Sequence, residues 1–327
     1  MWRSPVAPMH NNPVRTAFGC LVCLVLACAV PCRATDGPKV GLLMKDRTPF
    51  WRSVEAGAAA EVRQAGGTLV AKAPSVSSNT GQQLALLDLL AEEENLAALL
   101  VGPLSVEDFR RPLAALASRG VKVVVIDTPP TEEPLGHVAI GYDQAEMARA
   151  AARAFAALAG PTDEYALLHI VSYDVTVVRE REFLGELRRV RPEAVVRADR
   201  DSTERIHDDY LQCCKLLDNH PNARAVATLY TGSSLDMMRA LKTKGRAGAV
   251  KHLGFGVGLP AEVAEAIEAD QLHAWVAQLP DEIGRAAAKA ALDLLAGVRV
   301  PKPIAPEYFI VTRQNISDRR IRRLREE

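Results

Sequence analysis

The sequence predicts an α/β fold of two doubly wound lobes, each a parallel sheet with helices on both faces. Short apolar runs alternate with helix-length segments from residue 40 onward. Nearly all of these runs are continuously apolar, which is typical of strands buried on both faces of a parallel sheet. One sheet accommodates five or six strand–helix units, whereas this chain has about nine, so two lobes fit the pattern better than one.

The predicted strands are rich in Val, Leu, Ile and Ala, and the predicted helices repeat apolar residues every three or four positions. In the first helix Val54, Ala58 and Val62 follow this spacing, and Thr48 before Pro49 is a typical helix start. The strands are predicted at Val40–Met44, Thr68–Ala71, Ala97–Val101, Lys122–Ile126, Val138–Ile140, Tyr165–Ile170, Val195–Arg197, Ala225–Leu229, Lys251–Phe255 and His273–Val276. The helices are predicted at Phe50–Gln64, Gln82–Glu93, Val106–Ser118, Gln144–Leu158, Arg179–Val190, Ile206–Leu217, Ser233–Lys244, Pro260–Ala269 and Asp281–Leu295.

The composition is that of an ordinary folded protein without a strong overall charge. Of the 327 residues, 48% are hydrophobic and 24% are charged, which argues against long disorder. Basic and acidic residues both number 40, so no net field attracts nucleic acid or an acidic membrane.

The N-terminal segment predicts a secretory signal peptide over residues 1–34. It starts with basic and no acidic side chains, continues as an apolar run too short to span a bilayer, and ends in small residues, with cleavage expected after Ala34. A lipoprotein signal that modifies Cys28 is the weaker alternative. The segment holds three of the 40 basic residues and no acidic one, so the mature chain would carry a net charge of −3. Its remaining cysteines, Cys213 and Cys214, are neighbours and rarely bridge each other, so no disulfide framework is expected.

Two Pro-rich stretches and the C-terminus bear on the organisation of the lobes. We expect the chain to cross first between the lobes near Ala139–Gly141, after the Pro-rich stretch 128–134. The second stretch, 300–306, suits an extended strand that returns between the lobes. The basic tail, 318–327, is expected to be a frayed, solvated extension, with contact to a membrane partner as the alternative.

Residues that follow the predicted strands are candidates for a ligand site, because ligands of open α/β sheets bind beyond the carboxyl ends of the strands. Thr48, Phe50 and Trp51 follow the first strand. Two adjacent helical residues point about 100° apart, so at least one ring can face a cleft while the other packs in the core. Asp127 ends the fourth strand and is either a site carboxylate or a turn cap.

Two arginines after the sixth strand are alternatives for one site role. Arg179 and Arg181 lie in the first turn of a predicted helix, where a positive charge opposes the helix dipole. A site role for one of them would explain that placement, and the other would then belong to a solvated helix face.

Several motifs together carry a resemblance to a known family. They are Lys39-Val-Gly-Leu-Leu43, Thr48-Pro-Phe-Trp51, Val123-Val-Val-Ile-Asp127, Arg179-Glu-Arg-Glu-Phe183, Leu253-Gly-Phe255 and Val276-Ala-Gln-Leu-Pro-Asp-Glu-Ile-Gly284. In this order they resemble the ribose-binding-protein family, the type I periplasmic sugar-binding proteins, over about residues 39–313. The resemblance implies two α/β lobes joined by three strands, with the ligand in the cleft between them. The expected lobes are 36–139 plus 279–307 and 140–278 plus 308–317.

The resemblance also implies roles for individual residues. Phe50 and Trp51 would pack on the apolar faces of a sugar ring. Asp127 would accept hydrogen bonds from hydroxyl groups, and Arg181 would be the arginine of the site. Gln278 would make a polar contact near the hinge.

Departures from the family pattern predict a pocket that is roomier and less polar than a monosaccharide site. Gly102, Thr128 and Gly256 stand where larger polar or charged residues are usual. Tyr230 adds a ring with one hydroxyl, and Tyr173 is a further candidate. Unpaired sugar hydroxyls cost about 1–3 kcal/mol each, so weak binding of ribose is expected.

No motif supports a metal, a cofactor or catalysis. His207-Asp208-Asp209 has no second histidine one helical turn away, and Cys213-Cys214 is better explained as two small apolar helix residues. The glycines of Gly254–Gly258 are expected to give turn freedom and cleft space.

These observations predict a monomeric periplasmic solute-binding protein, not an enzyme, that closes on a small ligand. Its partner would be the membrane permease of an ABC importer. The alternative is a sensor that presents its closed form to a membrane histidine kinase or chemoreceptor.

Overall fold

A computed structural model describes residues 37–76, 79–128, 133–160, 163–169, 174–200, 209–301 and 304–325. The expected signal peptide, Tyr173, His207 and Asp208 lie outside the described residues. Within these ranges, no helix is both long and apolar enough to cross a membrane.

The first sheet is entirely parallel and has five strands. They are β1 (Lys39–Leu43), β2 (Thr68–Lys72), β3 (Leu96–Val101), β4 (Lys122–Ile126) and β5 (Val138–Ile140), in the order β2-β1-β3-β4-β5. The helices of this half are α1 (Pro49–Gln64), α2 (Thr80–Ala91) and α3 (Val106–Ser118). The central strands are buried on both faces, as their continuous apolar runs predict.

The second sheet has six strands, of which the last is antiparallel. They are β6 (Glu164–His169), β7 (Val195–Arg200), β8 (Ala225–Thr228), β9 (Lys251–Val257), β10 (Ala274–Gln278) and β11 (Tyr308–Val311), in the order β11-β10-β9-β8-β6-β7. The helices of this part of the chain are α4 (Gln144–Ala156), α5 (Asp174–Val190), α6 (Asp209–Asn219), α7 (Thr231–Thr243), α8 (Ala261–Glu268) and α9 (Pro280–Leu295). Helix α9 returns to the first sheet, where it packs on α1, β3 and β4.

The chain therefore passes between the sheets after β5, after β10 and before β11. This arrangement confirms the predicted fold class of two α/β lobes with parallel sheets. In the described part of the Pro-rich return segment, Ile304 forms a parallel bridge with Ile140. Residues 302 and 303 lie outside the described residues, so the expected extended strand stays a prediction. The lobe boundaries assigned from the sequence stay predictions.

The element boundaries agree with the sequence within a few residues except in two places. Helix α5 begins at Asp174, five residues before the predicted start at Arg179. Strand β11 was not predicted. It is a partly exposed antiparallel edge strand, and its apolar run is only four residues long.

The C-terminus differs most from expectation, because the described part of the basic tail is not frayed. Residues Arg319–Arg322 form a short helix, α10, followed by a 3₁₀ turn at Arg323–Arg325. Ile321 and Leu324 are buried in an apolar cluster of the second lobe. The tail prediction failed because two buried apolar side chains outweigh the polar composition of the segment.

Because two histidines are buried, we expect the free energy of unfolding to fall in mild acid. Burial, and then the neighbouring His273, lower the pKa of His252 to about 3, while burial and Lys251 lower the pKa of His273 to about 4. Both are therefore neutral in the folded state, whereas in the unfolded chain they protonate near pH 6.5. The contribution of the two neutral histidines to the free energy of unfolding is fully present above pH 6.5. It is lost as the pH falls toward the pKa values of the folded state.

We expect the free energy of unfolding to drop by about 1–3 kcal/mol between pH 6.5 and 5, a window above most carboxylate titration. Urea unfolding across this window measures it. The His252→Asn variant should show a shallower slope, and an equal slope in the variant and the wild type would contradict the assignment to this histidine.

Candidate functional site

A cavity of about 210 Å³ lies between the lobes at the carboxyl ends of the strands. The first-lobe residues that line it are Lys45, Asp46, Thr48, Pro49, Phe50, Trp51 and Asp127. The second-lobe residues are Val175, Thr176, Arg179, Tyr230, Thr231, Gly232 and Leu235, and Gln278 lies at the crossing after β10. The cavity is thus where open α/β sheets bind ligands.

A buried ion pair forms the first-lobe side of the cavity. Lys45 Nζ donates to Asp127 Oδ2 at 3.1 Å and to the Asp127 carbonyl oxygen at 2.5 Å, and both side chains are about nine-tenths buried. The two residues follow β1 and β4, 82 positions apart in the sequence. Removal of either partner would leave an uncompensated buried charge, which is costly. The contact between the two groups is therefore expected to hold both side chains in place.

The backbone at Asp127 explains how its carboxylate comes to face the cavity. Its φ of 48° lies in the left-handed region, which aspartate tolerates better than most residues. Its amide donates to the Ile140 carbonyl at 3.0 Å, which fixes the turn against the end of β5. The alternative that Asp127 is only a turn cap does not account for its contact with Lys45.

Arg179 is the cationic group that the second lobe contributes. Its guanidinium donates two hydrogen bonds to Gln144 Oε1, at 2.8 and 3.0 Å, and one to the Leu229 carbonyl at 2.5 Å. It also lies 4.9 Å from the centre of the Phe255 ring, a cation–π distance. Burial lowers the pKa of Arg179 to about 10 and the charge of Asp127 opposes this, so the group stays charged at neutral pH.

The expectation that the Arg181 side chain faces the cleft is wrong. Its side chain is 67% exposed and pairs with Glu182, and it does not line the cavity. Arg179, the alternative weighed from the sequence, occupies that place. The two residues lie about 200° apart around α5, so only one of them can face the cavity.

The two predicted rings take different positions. Trp51 is only 3% exposed and packs in the core, where its indole lies against Gly102. Phe50 is half-buried and meets Trp51 edge-on, with 5.6 Å between the ring centres. Both line the cavity, but Phe50 presents the larger free surface.

The glycines do not create the cleft space that was expected of them. A Cβ at Gly102 would lie 2.2 Å from the Trp51 ring, and one at Gly256 would lie 2.0 Å from the ring of Trp275. The volume beside both glycines is therefore filled by indole rings. The pocket therefore gains no room at these two positions, and the cavity is smaller than the roughly 300–1,000 Å³ of drug-sized ligand sites.

The remaining predicted residues are mostly at the cavity. Thr48, Tyr230 and Gln278 line it, and Gln278 is 5% exposed. Thr128 lines a second cavity instead, of about 490 Å³, beside β5 and the first crossing. Burial raises the pKa of Tyr230, so its hydroxyl remains protonated and can donate a hydrogen bond.

A buried glutamine on α2 holds the strand ends that carry the first-lobe site. The amide nitrogen of Gln83 donates to the carbonyls of Met44 and Gly102, at 2.9 and 2.8 Å, and its Oε1 accepts from the Leu104 amide at 2.8 Å. Met44 directly precedes Lys45, and Gly102 is the residue against which Trp51 packs. Gln83 was not predicted as a site residue, because a glutamine on a helix carries no signal for a contact with distant strands.

We expect Gln83→Leu to lower the free energy of unfolding by about 3 kcal/mol, because three backbone groups lose buried partners. Urea unfolding measures the loss, and Gln64→Leu at an exposed position of α1 is the control. A loss below about 0.5 kcal/mol, as is usual for surface changes, would show that these bonds do not stabilise the strand ends.

Two lobes with a small cavity between the ends of their strands define a two-lobe binding protein. The chain belongs to the family described as periplasmic binding protein domain, whose profile matches residues 40–298. No curated protein gave a significant match.

Solved structures show the same fold at low sequence identity. A carbohydrate transporter solute binding protein from Agrobacterium radiobacter, in complex with D-arabinose, superposes with a TM-score of 0.79 at 19% identity, covering 89% of this chain and 99% of that one. An ABC transporter solute binding protein from Agrobacterium vitis with bound D-fucose has the same score and identity and covers 87% and 98%. The periplasmic component of an ABC-type sugar transport system from Hahella chejuensis gives 0.76 at 23% identity and covers 84% and 100%.

Proposed function

We propose that this protein is a periplasmic solute-binding protein that closes on a small, uncharged, hydroxyl-bearing ligand and delivers it to an ABC importer. The observation that carries the proposal is the cavity between the lobes, where Lys45 and Asp127 of one lobe face Arg179 of the other. The family assignment supports it, as do the sugars bound in solved structures with the same fold.

The polar groups of the cavity retain capacity to bind hydroxyls. A guanidinium has five N–H donors, and among the described residues Arg179 uses three of them. Lys45 likewise uses two of three donors, and Asp127 keeps Oδ1 for a ligand. A ligand that bonds to both lobes stabilises the closed state by its differential affinity for that state.

The charge of the cavity favours a neutral ligand. Two cations, Lys45 and Arg179, stand against two carboxylates, Asp46 and Asp127, so the cavity has no formal net charge. Phe50 supplies an apolar surface against which the C–H face of a sugar can pack. A sugar or a similar polyol matches this combination better than an organic acid.

A thermal-shift screen over sugars, polyols, amine oxides and small organic acids tests the proposal. A ligand at a hundred times its Kd adds about 2.7 kcal/mol, which raises the melting temperature by roughly 5 °C in a chain of this size. We expect such a shift from a neutral hydroxylated compound. A shift confined to organic acids would contradict the proposed ligand class.

The location and the partner are parts of the same proposal. Export requires the signal peptide, so the mature chain should begin near Thr35 in the periplasmic fraction, which N-terminal sequencing measures. We further propose a monomer that hands its ligand to a membrane permease without chemical turnover. No feature of the described residues favours delivery to a sensor kinase over uptake.

A further inference from the structure

The C-terminal segment places three arginines on one side of a short helical turn. Arg319, Arg322 and Arg323 have the spacing i, i+3 and i+4, which brings side chains to one helix face. All three are exposed, and none forms an ion pair with a described residue. We call these three residues the arginine patch.

The opposite side of the segment anchors it to the second lobe. Ile321 and Leu324 are 4% and 5% exposed and pack in the cluster that contains Trp275. The amide of Leu259 donates to the Leu324 carbonyl at 3.2 Å. The arginine patch is therefore presented by a docked segment rather than by a loose tail.

The two other arginines of the segment take part in this anchoring. Arg320 pairs with Glu307 at 2.6 Å and lies over the Phe309 ring at 5.3 Å. Arg325 forms an ion pair with Glu268. The charge of these two is matched within the fold, whereas that of the patch is directed outward.

The segment that carries the arginine patch docks on residues that neighbour the cavity. Leu259, which bonds to the segment, follows Gly258, and the Gly258 amide donates to the carbonyl of the cavity residue Gln278 at 2.8 Å. Leu235, which lines the cavity, packs against the cluster that contains Ile321 and Leu324.

The composition of this surface favours a lipid headgroup over a protein. Protein interfaces depend on buried aromatic or aliphatic anchors, and none of the exposed large hydrophobic residues of the described chain lies in 304–325. Clustered cations without such anchors match an anionic bilayer, and guanidinium groups bind phosphate oxygens in a bidentate manner.

We propose that the arginine patch binds anionic phospholipid, so that the protein associates peripherally with a membrane that contains phosphatidylglycerol. The association is electrostatic and reversible, because the apolar side chains of the segment are buried in the protein and do not insert. It goes beyond the proposed transport function and does not depend on the identity of the ligand.

Vesicle flotation with the mature, ligand-free chain tests the proposal. We expect binding to phosphatidylcholine vesicles that contain phosphatidylglycerol, no binding to phosphatidylcholine alone, and release at high salt. The triple variant Arg319→Ser, Arg322→Ser, Arg323→Ser should lower partitioning on the order of a hundredfold. The matched control Arg63→Ser, Arg111→Ser, Arg188→Ser removes three exposed arginines elsewhere and should bind as the wild type does.

Three results would overturn the proposal: no binding of the wild type to anionic vesicles, binding that salt does not weaken, or equal loss in the patch and control variants. Binding to native membranes that protease treatment abolishes, without binding to protein-free vesicles, would also overturn it and would indicate an acidic protein partner. If the triple variant fails to fold, Arg319→Ser alone should still lower partitioning about fivefold relative to the single control Arg63→Ser, and an equal effect of the two would overturn the proposal. Ligand binding is measured separately, so failure here leaves the transport proposal intact.

Discussion

Replacing Arg179 by methionine should weaken ligand binding by about a hundredfold or more, equivalent to about 3 kcal/mol. The guanidinium is the cation that the second lobe contributes to the cavity, and it keeps two N–H donors beyond those bonded to Gln144 and Leu229. Methionine has a comparable length and fills the space, but it donates no hydrogen bond. Calorimetry with the tightest compound from the screen measures the change.

The exposed arginine two positions later provides a matched control. Arg181→Met removes the same charge from the same helix, but its side chain is 67% exposed and its ion pair with Glu182 is of the kind worth little. We expect unchanged binding and a stability change within about 0.5 kcal/mol. Arg179→Lys should recover binding only in part, because an ammonium does not reproduce the fork geometry of the guanidinium.

Stability measurements separate a binding role of Arg179 from a structural one. Arg179→Met also leaves Gln144 Oε1 and the Leu229 carbonyl without a donor, which costs about 1–3 kcal/mol of folding stability. Binding is therefore compared at temperatures where both variants are fully folded. Normal affinity in Arg179→Met together with lost affinity in Arg181→Met would reverse the assignment.

The sequence contains information on which of the two arginines, Arg179 or Arg181, faces the cavity. Val175, Arg179 and Phe183 are spaced by four residues on α5, and Val175 and Phe183 are both buried. Arg179 thus lies within an apolar stripe, whereas Arg181 lies on the opposite side. The apolar stripe is visible in the sequence. The predicted helix started at Arg179 and so omitted Val175, and without Val175 the buried face of the helix could not be identified.

The partner of Asp127 could not be found in the same way. A carboxylate at the end of an apolar strand is visible in the sequence, which is why Asp127 was taken as a candidate site residue. Lys45 is adjacent only because β1 and β4 flank β3 in the sheet. That strand order depends on contacts distant in sequence, and no local pattern specifies it.

Glycine was the least reliable guide to the site. Gly102 and Gly256 were expected to enlarge the pocket, but tertiary packing fills the volume beside them with Trp51 and Trp275. The continuous apolar strands, by contrast, identified the fold class, because strands that are buried on both faces consist almost entirely of apolar residues. Features recorded in local composition were predicted, and those created by packing between distant segments were not.

The largest expected change in the free energy of unfolding also comes from packing between distant segments, the helices α1 and α9. Helix α9 returns from the second lobe and packs on α1, and a glycine lies at the contact on each helix. A Cβ at Gly284 would lie 2.0 Å from the Val54 carbonyl oxygen, and one at Gly57 would lie 2.0 Å from the Asp281 carbonyl oxygen. Both obstacles are backbone atoms, so no side-chain rotation can relieve the overlap.

Gly284→Ala should therefore lower the free energy of unfolding by about 3 kcal/mol or more, because the two helix backbones must move apart. Gly185→Ala on α5 is the matched control: it makes the same change within a helix, no atom lies within 4 Å of the added Cβ, and the replacement should stabilise the protein by about 0.5–1 kcal/mol. Urea unfolding of both variants measures these opposite signs. Two changes of the same sign and size would mean that helix propensity, and not the close contact of α1 with α9, governs glycine in this fold. Because α9 begins two residues after the cavity residue Gln278, separation of the helices should also weaken ligand binding.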